Sequence, residues 1–165
     1  MPGVQKNVIN GWAIFAHAAF LDAYKALVGR VEKIKEKHPD TYQSNAYTKL
    51  LAMVHKIIAD ITQDPGGSQF RQGSTLGEEH KHWLRGKFGN ARYRLFYRFD
   101  SASKTIILGW LNDETTLRTT GGKHDAYKIF ASLLKKKKPP TDWDELLAAS
   151  HTDEVMSGLI DSLER

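Results

Sequence analysis

Cysteine is absent from this 165-residue sequence. A chain without cysteine has no disulfide scaffold, no thiolate zinc site and no cysteine nucleophile. Long apolar segments are also absent, because no stretch approaches the roughly 18 apolar residues that a membrane-spanning helix needs. The first residues lack the apolar segment of a secretory signal peptide. We therefore expect a cytoplasmic protein without a membrane partner.

Acidic side chains are missing from residues 81–98. With 24 basic and 19 acidic residues in the chain, six positive side chains in succession arise by chance in about 3% of cases. Solvated faces of sheets are commonly charged but usually mix both signs, so a merely solvated surface is the weaker interpretation. Together with the net charge of +5, the stretch predicts an anionic partner. Its charged residues are Lys81, Arg85, Lys87, Arg92, Arg94 and Arg98.

The same region has the pattern of a three-stranded antiparallel meander. Residues 82–88, 92–99 and 105–111 are rich in β-branched and aromatic residues, and turn-prone segments separate them. Because strand side chains alternate between faces, Leu95 and Tyr97 point to one side and Phe96 to the other. Four basic residues share the side of Phe96, and we expect them to form one open cationic surface. They are Arg85, Lys87, Arg94 and Arg98.

Aromatic residues are interleaved with this basic surface. Trp83 and Phe96 lie on the same predicted face as the cations. Aromatic rings beside cationic side chains suit the stacking of nucleic-acid bases next to phosphate contacts. The pattern therefore predicts binding of a nucleic acid or of another phosphate-bearing ligand.

Helical periodicity marks the rest of the chain. It predicts one helix over residues 18–37 and a second that begins near Asp40 or Thr41 and ends before residue 64. Further helices are predicted over residues 125–136 and 143–149. Residues 12–16 form a short apolar run that fits either a strand or the start of a helix. The pattern indicates an α+β domain over residues 1–149, followed by an acidic amphipathic tail over residues 150–165.

Candidate metal ligands are sparse. His80 and His82 flank Lys81, but only Glu78 and Glu79 lie nearby, which is a weak pattern for a metal site. We therefore predict neither a metal ion nor another cofactor. Two further histidines, at positions 17 and 55, lie among apolar residues and are interpreted as structural.

RNA can be cleaved without a metal, because the ribose 2′-OH can attack its own 3′ phosphate. The protein must then supply a base for the 2′-OH, cations for the charge on the phosphorane and an acid for the departing 5′ oxygen. Crowding by like charges makes the neutral amine of a lysine more available as a base. Lys87, between Arg85 and Arg94, would have that environment.

Six segments of the chain carry a resemblance to a known family. They are NGWAIFAH, TKLLAMVHKII, KFGNARYRLFYRF, IILGWLNDETTLRT, DAYKIF and KPPTDW, spread over residues 10–147. Together they resemble the YhaV family of bacterial type II toxins, the partners of PrlF antitoxins. That family is similar to the RelE/ParE superfamily, whose RelE branch cleaves mRNA, often in the ribosomal A site. The resemblance implies a RelE-like fold, with N-terminal helices packed on an antiparallel sheet and C-terminal helices after it.

The resemblance also implies catalytic residues. Arg94 resembles the superfamily arginine that contacts the scissile phosphate, and Arg85 and Lys87 resemble two basic residues on the preceding strand. Tyr127 falls near a tyrosine that stacks or relays a proton. The implied catalytic set is Arg85, Lys87, Arg94, Arg118 and Tyr127.

The loop after the last meander strand leaves two alternatives open. Arg118 and Lys123 compete for one further basic position, because this loop is longer than in RelE-type toxins. The general acid is open among Tyr127, Arg118 and His124. The residues predicted to bind RNA around the catalytic set are Lys81, Trp83, Arg92, Phe96, Arg98, Lys123 and His124.

These features predict an endoribonuclease toxin, an mRNA interferase that uses the RNA 2′-OH as nucleophile and inhibits translation. The expected partners are mRNA, a PrlF-like antitoxin and, as a further candidate, the ribosome, with operator DNA contacted only through the antitoxin. The acidic tail is expected to cover part of the basic surface or to join the antitoxin interface. Two alternatives stay open, namely a non-catalytic RNA- or ribosome-binding module and a ParE-like toxin directed at gyrase.

Overall fold

The computed structural model of the chain describes residues 7–152 and 154–163, without the side chains of residues 154 and 155. The described strands form one mixed sheet with the order β1-β2-β5-β4-β3, and β6 pairs with β2. The strands are β1 (Val8–Ile9), β2 (Trp12–His17), β3 (Leu84–Phe88), β4 (Tyr93–Asp100), β5 (Thr105–Leu111) and β6 (Ser150–His151). The helices are α1 (Ala18–Lys37), α2 (Ala46–Gln63), α3 (Ala126–Lys135), α4 (Trp143–Ala148) and α5 (Glu154–Leu163).

The predicted meander is confirmed as β3-β4-β5. Both neighbouring pairs are antiparallel, and Lys87 of β3 lies opposite Arg94 of β4. The turn between β3 and β4 has three consecutive residues with positive φ, Gly89, Asn90 and Ala91. Left-handed backbone is tolerated best by Gly and Asn, which explains why the turn falls at this sequence. The alternation of faces along β4 also agrees with the sequence pattern, since Leu95 and Tyr97 enter one core and Phe96 the other.

The prediction of a purely antiparallel sheet is wrong. The ambiguous run at residues 12–16 is a strand, β2, and it pairs parallel to β5, with Ile14 opposite Ile106. Both faces of β2 meet apolar surroundings, since Ile14 enters one core and Phe15 packs against the other. A strand covered on both faces reads as a continuous apolar run, which is why periodicity alone left this segment open.

One face of the sheet is covered by α1, α2 and α5. The helix α2 begins later than predicted because residues 42–44 form a 3₁₀ turn and the Asn45 side chain accepts the Tyr47 N–H. The acidic tail contributes Met156, Leu159 and Ile160 to this core, where α5 packs against α2. The expectation that the tail covers the basic surface is therefore wrong for α5, which lies on the opposite face of the sheet. The domain boundary after residue 149 stays a prediction.

The other face is covered by α3 and α4, and the expectation of an open cationic surface there is wrong. Trp83 and Phe96 have no exposed surface. Both rings pack against Phe130 of α3, with ring centroids 5.0 and 4.3 Å away. Neither ring can stack on a base in this arrangement. Among the described helices, none is both long enough and apolar enough to cross a membrane.

Arg98 is also covered on this face. Its Nη1 donates to the Thr141 carbonyl, and its guanidinium lies 5.6 Å from the ring centre of Trp143 in α4. Burial lowers the pKa of the Arg98 guanidinium from its ordinary value, and the nearby Asp142 charge opposes that effect. Arg98 therefore fastens the connection before α4 to the sheet, so its expected place on an open surface is wrong.

Candidate active site

The hydroxyl of Tyr127 is the meeting point of two arginines. It accepts a hydrogen bond from Arg85 Nε at 3.0 Å and one from Arg94 Nε at 3.2 Å. The Arg118 guanidinium lies over the Tyr127 ring, 4.5 Å from its centre. Four of the residues predicted to be catalytic therefore meet around one phenol, although they come from β3, β4, α3 and a loop. We call these four residues, Arg85, Arg94, Arg118 and Tyr127, the Tyr127 cluster.

Arg94 is the most buried cation of the cluster, with 5% of its surface exposed. Its Nη1 donates to the carbonyls of Ala91 at 2.6 Å and Tyr93 at 3.1 Å. These bonds tie the guanidinium to the β3–β4 turn and fix its direction toward Tyr127. The sequence placed Arg94 on the correct face of β4 but in the middle of an open surface, whereas α3 covers it.

Arg85 and Lys87 lie on the edge strand β3. Arg85 is half-buried, and its Nη1 donates to the Gln69 carbonyl at 2.7 Å. Lys87 is exposed and lies directly opposite Arg94 on the neighbouring strand. Both side chains line an open groove whose other wall is formed by α2 and by the 3₁₀ turn Ser68–Phe70. A substrate in this groove would reach the amine of Lys87 and the exposed side of Arg85.

Arg118 is oriented by Asp125, the residue that caps α3. Arg118 Nη1 lies 2.7 Å from Asp125 Oδ2, and this carboxylate is only 4% exposed. The same carboxylate accepts the Thr119 N–H at 2.6 Å and the Tyr127 N–H at 3.2 Å. One buried charge thus fixes the loop, the start of α3 and the position of Arg118 over the Tyr127 ring. Sequence reasoning placed Asp125 at a helix start but did not identify this role.

Asn112 is a second residue that sequence reasoning missed. Its Oδ1 accepts the Arg94 N–H at 2.7 Å, and its Nδ2 donates to the carbonyls of Arg92 at 3.2 Å and Thr116 at 2.9 Å. The side chain is 3% exposed and joins the end of β5 to the start of β4. Asn is common in turns, so a single Asn at the end of a strand does not indicate from sequence that its side chain joins two strands.

Three further residues were predicted to bind RNA near the cluster, and only one of them contacts it. Arg92 Nε donates to the Arg118 carbonyl at 3.1 Å, so Arg92 supports the backbone of the cluster. Lys123 and His124 are exposed in the loop between β5 and α3. Of the two candidates for the additional basic position, Arg118 is the one that contacts Tyr127.

The predicted structural histidines have structural contacts. His17 Nδ1 accepts the Ala19 N–H at 3.0 Å and caps α1, and His55 Nε2 lies 2.7 Å from the Tyr24 hydroxyl. Burial lowers the pKa of both imidazoles. His80 Nδ1 lies 2.7 Å from Thr141 Oγ1. Within residues 7–152 and 156–163 no group of three or more His, Asp or Glu side chains is placed to hold a metal ion.

The electrostatics of the cluster suit an anion with several oxygens. Three guanidiniums surround one phenol, and a single carboxylate, Asp125, accompanies them. In the described part of the chain, Nη2 of each of these arginines has no protein acceptor. Guanidinium groups bind the oxygens of phosphates in planar, often bidentate geometry. The arrangement can therefore hold a phosphate and stabilise charge that develops on it.

Comparison with known proteins identifies the family. Residues 14–151 match the YhaV toxin family, described as toxins with endonuclease activity of toxin-antitoxin systems. This chain belongs to the YhaV toxin family. The Ribonuclease toxin YhaV of Escherichia coli strain K12 is 53% identical over 140 residues, which cover 84% of this chain and 91% of the relative. The Toxin YhaV of E. coli O6:H1 strain CFT073 has the same identity and coverage.

The YhaV family match begins within β2, spans β3 to β6 and includes the whole Tyr127 cluster. The resemblance carried by the six sequence segments is therefore confirmed at the level of the family. No solved structure matches the chain significantly.

Proposed function

We propose that this protein is an endoribonuclease toxin that cleaves mRNA with the RNA 2′-OH as nucleophile and without a metal ion. The observation that carries the proposal is the convergence of Arg85 and Arg94 on the Tyr127 hydroxyl, beside Arg118. Three guanidiniums supply the positive charge that phosphoryl chemistry requires in its transition state. The family description as endonuclease toxins and the name of the K12 relative, a ribonuclease toxin, support the choice of RNA.

The hydrogen bonds of the Tyr127 hydroxyl support a role for Tyr127 as the acid in this reaction. A phenol oxygen has one proton and two lone pairs, and here it accepts from two guanidinium N–H groups. With its lone pairs engaged, the neutral hydroxyl acts toward a substrate as a donor. Tyr127 is therefore the general acid that gives its proton to the departing 5′ oxygen. Arg118, paired with Asp125, acts as a cation, and the exposed His124 takes no part in this step.

Lys87 completes the reaction as the base. Lys87 is exposed, lines the groove beside Arg85 and pairs with Arg94 in the strand register. The neutral amine takes the proton of the 2′-OH while the 2′ oxygen forms its bond to phosphorus. The bond from phosphorus to the 5′ oxygen then breaks, and that oxygen receives the proton of Tyr127. The products are a 2′,3′-cyclic phosphate end and a 5′-hydroxyl end.

The nature of the product ends tests this mechanism. Purified protein is incubated with a labelled RNA, with and without EDTA, and the new ends are analysed by mass spectrometry. An Arg94→Ala sample prepared in the same way controls for contaminating nucleases. We expect cyclic-phosphate ends and the same rate in EDTA. Ends with a 3′-hydroxyl and a 5′-phosphate, or loss in EDTA that a divalent ion reverses, would refute the mechanism.

The partners follow from the toxin-antitoxin context of the family. We propose that a PrlF-like antitoxin neutralises the protein in the cytoplasm and that free toxin slows translation, on or off the ribosome. Operator DNA would be contacted only through the antitoxin. The packing of α1 and α2 on a sheet that contains a β3-β4-β5 meander supports a RelE-like arrangement as part of this proposal.

A further inference from the structure

A second basic groove lies at the other end of β3 from Lys87. Its basic lining consists of Arg71, Lys81, His82 and Arg98, and Glu78 is the acidic side chain among the described residues that line it. Arg71, Lys81 and His82 are exposed. We call this the Arg71 groove. Neither Arg71 nor His82 belongs to the residues that sequence reasoning assigned to RNA.

The walls of the Arg71 groove are fixed by the fold. Arg71 forms a backbone bridge with Leu84, which holds the segment after α2 against the start of β3. The buried Gln72 donates from Nε2 to the His80 carbonyl at 3.1 Å and accepts the Leu76 N–H at 3.3 Å. These contacts hold the segment that carries Arg71 at a set separation from the segment that carries Lys81. The groove is therefore a formed site and not a collection of loose loop charges.

The floor of the Arg71 groove includes part of Arg98. Nε of this guanidinium is buried and has no hydrogen-bond partner in the described residues. A buried donor without a partner is uncommon and is costly unless an acceptor reaches it. An anion in the groove would add negative charge beside this cation. The electrostatics of the floor and of the rim therefore favour the same kind of ligand.

The Arg71 groove lies next to the groove that Arg85 and Lys87 line, along the same edge of the sheet. The segment 68–72 borders both, because Phe70 lines the groove beside Arg85 and Arg71 lines the second one. Arg94 and Arg98 are four residues apart on β4, which corresponds to about 13 Å along a strand. One phosphate cannot reach both sites across that distance. A single RNA strand that lies along β3 can.

We propose that the Arg71 groove is a subsite for a flanking backbone phosphate of the RNA that is cleaved at the Tyr127 cluster. The proposal rests on the proposed function, because it assigns the groove to the same substrate strand. The subsite binds charge and not a base, since Trp83 beneath it is fully buried. It should therefore raise affinity for longer strands without selecting their sequence.

Binding of strands of increasing length tests the subsite without relying on cleavage. The probes are fluorescent 2′-O-methyl oligoribonucleotides of 2 to 12 nucleotides, which cannot be cleaved because the nucleophile is blocked. The test variant is Arg71→Ala/Lys81→Ala. The control is Lys33→Ala/Lys37→Ala, which removes two exposed cations of α1 on the other face of the sheet and changes the net charge equally. Anisotropy is measured over a range of salt concentrations.

The proposed subsite predicts that the test variant loses affinity for RNA and that this loss grows with the length of the strand. We expect the test variant to bind the dinucleotide like wild type and the longest strand about tenfold more weakly near 0.1 M salt. Its plot of log affinity against log salt for the longest strand should be shallower by about 0.7, since one phosphate contact contributes roughly that amount for a single strand. In cleavage of a long RNA, KM should rise by a similar factor with kcat unchanged. The control variant should lose less than twofold in every assay.

Other outcomes would overturn the proposal. Equal affinity of wild type and test variant for every length refutes the subsite, and unchanged RNA binding with weakened neutralisation by the antitoxin assigns the groove to that protein instead. An equal loss for the dinucleotide and the longest strand means that the substitutions act through the fold or the Tyr127 cluster. If wild type cleaves no RNA but the length-dependent binding holds, the catalytic proposal fails while the groove still binds a strand.

Discussion

Replacing Tyr127 by Phe removes one oxygen atom and leaves the ring in place. The ring keeps its edge-to-face contact with Phe96, at 5.4 Å between centroids, and its place beneath the Arg118 guanidinium. The substitution takes away the acceptor that Arg85 and Arg94 share, and it takes away the proposed acid. Tyr127→Phe should therefore affect stability and rate by separable amounts.

The magnitude of the stability loss follows from the burial of the two donors. A hydrogen bond to a charged group contributes about 1.5–3 kcal/mol. Arg94 is 5% exposed, so its Nε would be left without an acceptor, whereas water can replace the phenol for the half-buried Arg85. We expect the free energy of unfolding to fall by about 2 kcal/mol. Loss of a general acid lowers a rate by about 100- to 10,000-fold.

Urea denaturation and single-turnover RNA cleavage measure the two effects. Tyr97→Phe is the matched control, because Tyr97 is fully buried on the other face of the sheet and its hydroxyl donates to the Pro65 carbonyl at 2.6 Å. We expect the free energy of unfolding of this control to fall by about 1 kcal/mol. Its rate of RNA cleavage per amount of folded protein should equal that of wild type. If Tyr127→Phe cleaves within threefold of wild type, Tyr127 is not the acid and the mechanism fails at that step.

Arg94→Ala should slow cleavage by about 100- to 1,000-fold, with Arg94→Lys recovering only part, because lysine cannot present a planar fork to phosphate. Unlike an exposed cation, Arg94 should also cost stability when removed, which urea denaturation would detect as a lowered midpoint. Asp125→Asn should keep the cap of α3 but misplace the paired guanidinium, lowering kcat by roughly 10- to 100-fold with KM little changed. The corresponding change at the cap of α4, Asp142→Asn, should leave kcat unaltered, and equal kcat losses would contradict the positioning role. Acid should destabilise the fold through His17 and His55: their folded pKa values lie below the ordinary 6.5, so the unfolded chain binds more protons and the free energy of unfolding falls as pH decreases below about 6.5. Denaturation at pH 7.5 and 5.5 checks the sign, and a His55→Gln variant with the same pH dependence as wild type would remove His55 from the explanation.

Local signals in the sequence determined most of the helices and the three strands of the meander. The spacing of apolar residues placed α1, α3 and α4 within a residue or two, and the Asp64-Pro65 break ended α2 correctly. Alternation along β4 assigned each side chain to the correct face. These properties depend on neighbours within a few positions in the chain, so a single sequence contains them.

Only the tertiary structure decided what covers each face. The alternation that put Trp83 and Phe96 beside the cations could not show that Phe130, more than thirty residues later, would bury both rings. Nor could it show that β2 joins β5 in parallel across ninety residues of sequence, or that Asp125 orients Arg118 over Tyr127. Such contacts depend on how helices pack on a sheet, and the packing energy that selects them is collective and nonlocal. The residues of the Tyr127 cluster could therefore be predicted from the sequence. The burial of the cluster and the carboxylate that orients Arg118 could be identified only in the tertiary structure.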